Sequence, residues 1–190
     1  MTSTPIDAVA IGASAGAVQA LTSILPALPD DYPVAVLVVV HVPADRSNVL
    51  VPHFQVRCRI PVREAQDKEP ISPGVIYFAP PDYHMLVEAD KTIALSADLP
   101  VLHSRPSIDV LFESAADAYG AALAGVVLTG ANHDGAAGLK AIADAGGYTI
   151  AEDPTGAYAP AMPRAALEAC VAAKPMTLKA IASYLTDQGK

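Results

Sequence analysis

Residues 8–16 read Ala8-Val9-Ala10-Ile11-Gly12-Ala13-Ser14-Ala15-Gly16, an apolar run that ends in a serine set between small residues. A run of this length reads as a buried strand, and the small residues as a tight turn into a helix. Apolar residues at helical spacing then follow from Val18 to Leu28. Ser14 is therefore expected at the carboxyl end of a strand and near the amino end of a helix. Ligands and chemistry gather at that edge of an α/β sheet. The free N–H groups of a helix start can also hold a developing negative charge.

Working outward, Val34 to Val40 is a continuous β-branched run, the mark of a parallel strand buried on both faces. It ends at His41, and Pro43 blocks its extension. A third buried strand, Ala124 to Thr129, runs into Gly130-Ala131-Asn132-His133-Asp134-Gly135, and a helix is expected from Gly135 to Ala145. Between these, the pattern predicts a helix over Asp45–Gln55 and a short strand over Pro61–Ala65. Short strands are expected at Val75–Ala79, Met85–Glu88 and Thr92–Ser96, as an antiparallel hairpin or meander at one sheet edge. Pro106 to Gly120 reads as an amphipathic helix capped by Ser107. Tyr148–Ala151 reads as a strand, and Arg164–Cys170 and Leu178–Leu185 as helices. This alternation predicts a three-layer α/β fold: a doubly wound, mostly parallel sheet flanked by helices, with an antiparallel hairpin at one edge.

The chain has 190 residues, 52% of them hydrophobic and 17% charged, which suits one domain over 1–190 and excludes disorder. A net charge of −8 argues against nucleic acid as a partner. No apolar run is long enough for a membrane span, and the amino terminus lacks the basic region of a signal peptide. Cys58 and Cys170 are isolated, so neither a disulfide framework nor a Cys-x-x-Cys metal site is present. Reduced thiols and a cytoplasmic location are expected.

Three strand ends thus present polar residues to one edge: Ser14, His41 and the Asn132-His133-Asp134 group. Serine needs a base to become a nucleophile, and histidine suits that role near neutral pH. A carboxylate on the other ring nitrogen fixes the tautomer and orientation. Asp134 is the only acid at these three strand ends, so Ser14, His41 and Asp134 form a candidate triad. Each also has a structural reading: a serine capping a helix, a histidine hydrogen-bonded within the fold, an aspartate in a turn. Gly12-Ala13-Ser14-Ala15-Gly16 satisfies G-x-S-x-G, the nucleophile elbow of α/β-hydrolases, but there the acid precedes the histidine. The G-x-G-x-x-G spacing of a dinucleotide site is absent, since Ser14 replaces the second glycine. His41, His133 and Asp134 are ligand types that zinc accepts, but their spacing matches no standard metal site. No cofactor and no metal are expected.

Several separated motifs carry a family resemblance. They are Ile11-Gly12-Ala13-Ser14-Ala15-Gly16, His41-Val42-Pro43, the stretch from Pro73 to Met85, Arg105 to Ala116, Leu128 to Leu139, and Met162 to Ala166. In this order they resemble the catalytic domain of CheB-type chemotaxis protein-glutamate methylesterases. The resemblance implies a serine hydrolase that removes methyl groups from glutamate γ-methyl esters of chemoreceptors and often deamidates receptor glutamines. It puts the nucleophile on Ser14, the histidine on His41 and the aspartate on Asp134. Chemoreceptor cytoplasmic domains are the implied partners, with separate signalling proteins beside them. The family's usual enzyme also carries an amino-terminal phosphorylatable receiver domain, for which no counterpart is expected here. From position alone, the backbone N–H groups of Ala15 and Ala131 are candidate oxyanion donors. Met162, Tyr158 and His103 are candidate pocket walls.

The chain departs from the family's usual motifs at two places. Ser14-Ala15-Gly16-Ala17 stands for S-T-G-G, and Gly130-Ala131-Asn132-His133-Asp134-Gly135 for G-M-G-x-D-G. Ala17 and Asn132 therefore replace glycines beside the candidate site. A non-catalytic receptor-binding module and an esterase for another ester are the competing functional readings.

Overall fold

The computed structural model describes residues 4–42 and 49–188. Its centre is a seven-stranded sheet in the order β3-β4-β2-β1-β7-β8-β9, in which every pairing is parallel. The strands are β1 (Ala8–Ala13), β2 (Ala35–Val40), β3 (Val62–Glu64), β4 (Ile76–Phe78), β7 (Leu123–Val127), β8 (Tyr148–Glu152) and β9 (Lys174–Met176). Every residue of β1, β2 and β7 is buried, which is why these segments are apolar throughout instead of alternating. A separate antiparallel pair, β5 (His84–Val87) and β6 (Ile93–Ser96), forms the hairpin.

Helices cover both faces. On one, α1 (Ala17–Ile24), α2 (Leu50–Gln55) and α6 (Leu178–Asp187) bring Leu21, Ile24, Phe54 and Ile181 onto Val9, Ile11, Val36 and Val38. On the other, α3 (Ile108–Tyr119), α4 (Ala136–Asp144) and α5 (Ala161–Ala169) pack Phe112, Leu139, Ile142 and Met162 against Ala8, Ala10, Leu37 and Val127. The hairpin joins this second face through Met85, Val87 and Ile93. From β1 the sheet grows through β2 in one direction and through β7 in the other. The crevice between β1 and β7 is the switch point at which α/β sheets bind ligands.

Several expectations change in detail. Val75–Ala79 contributes β4 to the parallel sheet, so the antiparallel element is β5 and β6 alone. The helix expected over Asp45–Gln55 is seen from Leu50, and its first part lies outside the described residues. Pro43 also lies outside them. Helix α1 gives way to a 3₁₀ turn at Leu25–Ala27, where Pro26 interrupts the α-helical bonding. Strand β9 has an exposed Lys174 and Pro175, so no apolar run announced it.

Candidate active site

Ser14 lies in the turn between β1 and α1. Its N–H donates to Thr129 O at 2.9 Å, and its carbonyl accepts from Ala17 N–H at 2.9 Å. Gly16 closes the turn at φ 85°, and a Cβ there would lie 2.8 Å from Cβ of Tyr158, so both backbone and space require glycine. Thr129 ties the surroundings together. Its hydroxyl donates to Ala15 O at 2.8 Å and accepts from Ala159 N–H at 2.8 Å. Its own N–H donates to the buried carboxylate of Glu152 at 2.8 Å. Burial raises the Glu152 pKa, against the pull of the Thr129 N–H.

His41 follows β2. The register pairs Ala13 with Val40, so Ser14 and His41 leave neighbouring strands side by side. His41 N–H donates to Ala13 O at 3.2 Å. Its ring Nε2 lies 2.8 Å from Asp134 Oδ2, which leaves Nδ1, 3.5 Å from Asn132 Nδ2, as the nitrogen for proton exchange. Sequence reasoning had not chosen between the two nitrogens.

Asp134 precedes α4 and is fully buried. Besides His41, its carboxylate accepts from Ser107 Oγ at 2.9 Å, Ile108 N–H at 2.7 Å and Asp109 N–H at 2.9 Å. Asp134 therefore caps α3 from another loop. Ser107, expected as that helix's cap, makes no side-chain capping bond and gives its hydroxyl to Asp134 instead. Burial raises the Asp134 pKa, but the His41 hydrogen bond and the Asp109 and Ile108 N–H groups outweigh it and hold the carboxyl below its usual range. Asp109 returns the arrangement: its Oδ1 accepts from Gly135 N–H at 2.9 Å and Gly138 N–H at 2.7 Å, at the start of α4.

Ser14 and His41 line one cavity of about 600 Å³, together with Ala17, Val40, Val49 and Tyr158. Among the described residues, neither Ala15 N–H nor Ala131 N–H has a hydrogen-bond partner, the state an oxyanion donor needs before substrate arrives. Tyr158 is three-quarters exposed beside the cavity. His103 lines a second opening, which also touches His41. Met162 does not line the cavity that holds Ser14 and His41. It is fully buried and sits where a Cβ on Gly130 would fall, so its packing holds the Gly130 turn.

His84 has a framework role. Its Nδ1 accepts from Ser107 N–H at 3.1 Å and its Nε2 donates to Leu99 O at 3.1 Å. Nothing in the sequence tied His84 to Ser107. Among the described residues no group of three or more His, Cys, Asp or Glu could hold a metal ion.

A buried aspartate on a histidine, beside a serine whose turn carries unpartnered N–H groups, at the switch point of a doubly wound sheet, is the layout of a serine hydrolase. The comparisons with known proteins narrow that class. The family model described as CheB methylesterase matches residues 9–185. A Leptospira interrogans protein, provisionally named a protein-glutamate methylesterase/protein-glutamine glutaminase, is 44% identical over 93% of this chain and 91% of its own length. The Symbiobacterium thermophilum protein-glutamate methylesterase/protein-glutamine glutaminase is 41% identical over 96% of this chain and 50% of its own length. The crystal structure of the Thermotoga maritima CheB methylesterase catalytic domain matches with a TM-score of 0.89 at 30% identity, covering 97% of this chain and 99% of that one. The chain belongs to the CheB methylesterase family.

Proposed function

We propose that residues 1–190 form one catalytic domain that hydrolyses glutamate γ-methyl esters on the cytoplasmic helices of chemoreceptors and also deamidates receptor glutamines. The observation that carries this reading is the buried Asp134 carboxylate at 2.8 Å from His41, next to the Ser14 turn. No cofactor enters the mechanism. His41 Nδ1 takes the Ser14 proton as Oγ attacks the ester carbonyl, and Asp134 stabilises the imidazolium that forms. The N–H groups of Ala15 and Ala131 receive the oxyanion. The C–O bond then breaks, Nδ1 returns its proton to the leaving oxygen, and methanol departs. Water activated by His41 hydrolyses the acyl-Ser14 ester and restores glutamate.

The partner reading follows from the cavity mouth and the chain's overall character. Val18, Val49 and Tyr158 are exposed apolar residues beside the cavity, suited to the apolar part of a helix. Among the described residues no helix is long and apolar enough to cross a membrane. The reading places the protein on the cytoplasmic side of receptors, with separate signalling proteins as further partners.

The test is methanol release from a methylated chemoreceptor cytoplasmic fragment, with Ser14→Ala as the control. Release that disappears in the variant supports the reading. A folded protein that releases nothing and is not labelled on Ser14 by a fluorophosphonate is a binding module instead. Labelling without receptor activity points to another ester.

A further inference from the structure

Asn132 stands in the turn before Asp134, where the family motif carries glycine. Its half-buried side chain is held at its Oδ1 end and approaches His41 at the other. Oδ1 accepts the Asp134 N–H at 3.1 Å, closing an Asx turn. That bond fixes the orientation of the amide, so its Nδ2 end lies 3.5 Å from His41 Nδ1. Nδ1 is the nitrogen left over once Nε2 is bound to Asp134, so in the proposed mechanism it meets the leaving group. A side-chain donor thus stands beside the atom that gives the leaving group its proton. The contact to Nδ1 is long, so Nδ2 can turn to a better acceptor when one arrives.

Resting on the functional reading above, we propose that Asn132 is a specificity-determining residue that favours ester over amide cleavage by donating through Nδ2 to the leaving oxygen. When an ester intermediate collapses, the electron pair of the breaking C–O bond goes to the methoxy oxygen, which also takes the Nδ1 proton. That oxygen carries a second lone pair, and the second pair accepts from Nδ2. When an amide intermediate collapses, the nitrogen has a single lone pair. This pair must take the Nδ1 proton so that the C–N bond can break and ammonia can leave. The nitrogen then has nothing left to accept from Nδ2, and its own N–H bonds face another donor. One hydrogen bond is made in the ester transition state and missing in the amide one, and only such a difference changes selectivity.

The experiment uses the full chain and a chemoreceptor cytoplasmic fragment that carries either methylated glutamate or glutamine at one position. Methanol and ammonia release give kcat/KM for each substrate. Asn132→Gly removes the donor and restores the residue of the family motif, so the turn has a precedent. Asn132→Asp keeps an oxygen for the Asp134 N–H but places an acceptor where the donor stood. The ester-to-amide ratio should fall about tenfold in Asn132→Gly, the worth of one hydrogen bond, and further in Asn132→Asp. An unchanged ratio in both variants overturns the inference. So does an equal loss of both activities in Asn132→Gly that Asn132→Asp restores, which would make Asn132 a turn residue only. A wild-type protein that releases neither product sinks the functional reading and this inference with it, an outcome distinct from a measured but unchanged ratio.

Discussion

Asp134 and Asp109 are both buried at the junction of α3 and α4, yet they titrate in opposite directions. Burial raises both. Asp134 receives the Ser107 hydroxyl, His41 and two backbone N–H groups across both of its oxygens, and the last three hold its pKa down. Asp109 is pushed up to about 6: burial leads, the carboxylates of Asp134 and Glu113 add to it, and the Gly138 and Gly135 N–H groups offset it only in part. Depth in the protein therefore does not set the charge. The number of donors and the sign of the neighbours do. One residue of the pair is kept ionised for His41, and the other fastens the helix that follows.

The largest test of this contrast is Asp134→Asn. The amide offers one acceptor oxygen in place of two and turns an NH₂ group toward existing donors. Activity should drop on the order of 10³–10⁴-fold, as when a triad aspartate becomes neutral. Stability should also fall, by roughly 2–4 kcal/mol, because the donors on one of the two oxygens, Ser107 and Asp109 on Oδ1 or Ile108 on Oδ2, lose their acceptor. Methanol release and urea unfolding check the two effects. Lost activity without lost stability would remove Asp134's role as cap of α3.

Asp109→Asn should act through pH alone. Both backbone bonds fall on Oδ1, so an amide oxygen can keep them. In the native protein Asp109 stays protonated up to about 6, while an unfolded chain ionises near the ordinary carboxylate value. The folded state binds the extra proton in that window, so stability falls as pH rises through it and is flat above. Asp134 contributes with the opposite sign: its stabilisation is present above the ordinary carboxylate value and is lost as pH falls below it. Denaturant unfolding at pH 4 and pH 8 should find Asp109→Asn close to wild type at the lower pH. At the higher pH it should be more stable, by on the order of 1–3 kcal/mol. Equal effects at both pH values would mean that Asp109 is not raised.

Much of this site was legible in the sequence because strand ends can be read from where apolar runs stop. Ser14, His41 and the Asp134 turn all follow such runs, and the parallel register then sets Ser14 beside His41. The partners of Asp134 could not be read that way. Ser107 and Ile108 come to it from a helix start 26 or 27 positions away in sequence, and no local pattern encodes that meeting. A serine before a helix looks like its cap whether or not its hydroxyl points elsewhere. Met162 is ambiguous in sequence for a similar reason, since a methionine next to a motif can line a pocket or fill a core. Only the missing Cβ of Gly130 shows which role it takes. The antiparallel hairpin was visible, but not that Ile76–Phe78 leaves it for the main sheet, because a three-residue strand carries too little pattern to choose.

Ser107→Ala gives the smallest expected effect and bears most directly on donor count. The substitution deletes one of four donors to Asp134 and leaves Oδ1 with the Asp109 N–H, and Oδ2 with the Ile108 N–H and His41. The backbone bond from Ser107 N–H to His84 Nδ1 survives, so the helix start should hold its place. A fully buried hydroxyl is lost with its acceptor still satisfied, which costs about 1 kcal/mol in stability. Activity should fall only a few-fold, because the carboxylate keeps its charge and its hold on His41. A loss as deep as that of Asp134→Asn would mean that the hydroxyl alone keeps Asp134 ionised, and the donor-count argument would fail. No measurable loss would sharpen the argument instead, by assigning the lowered pKa to His41 and the two backbone N–H groups that begin α3.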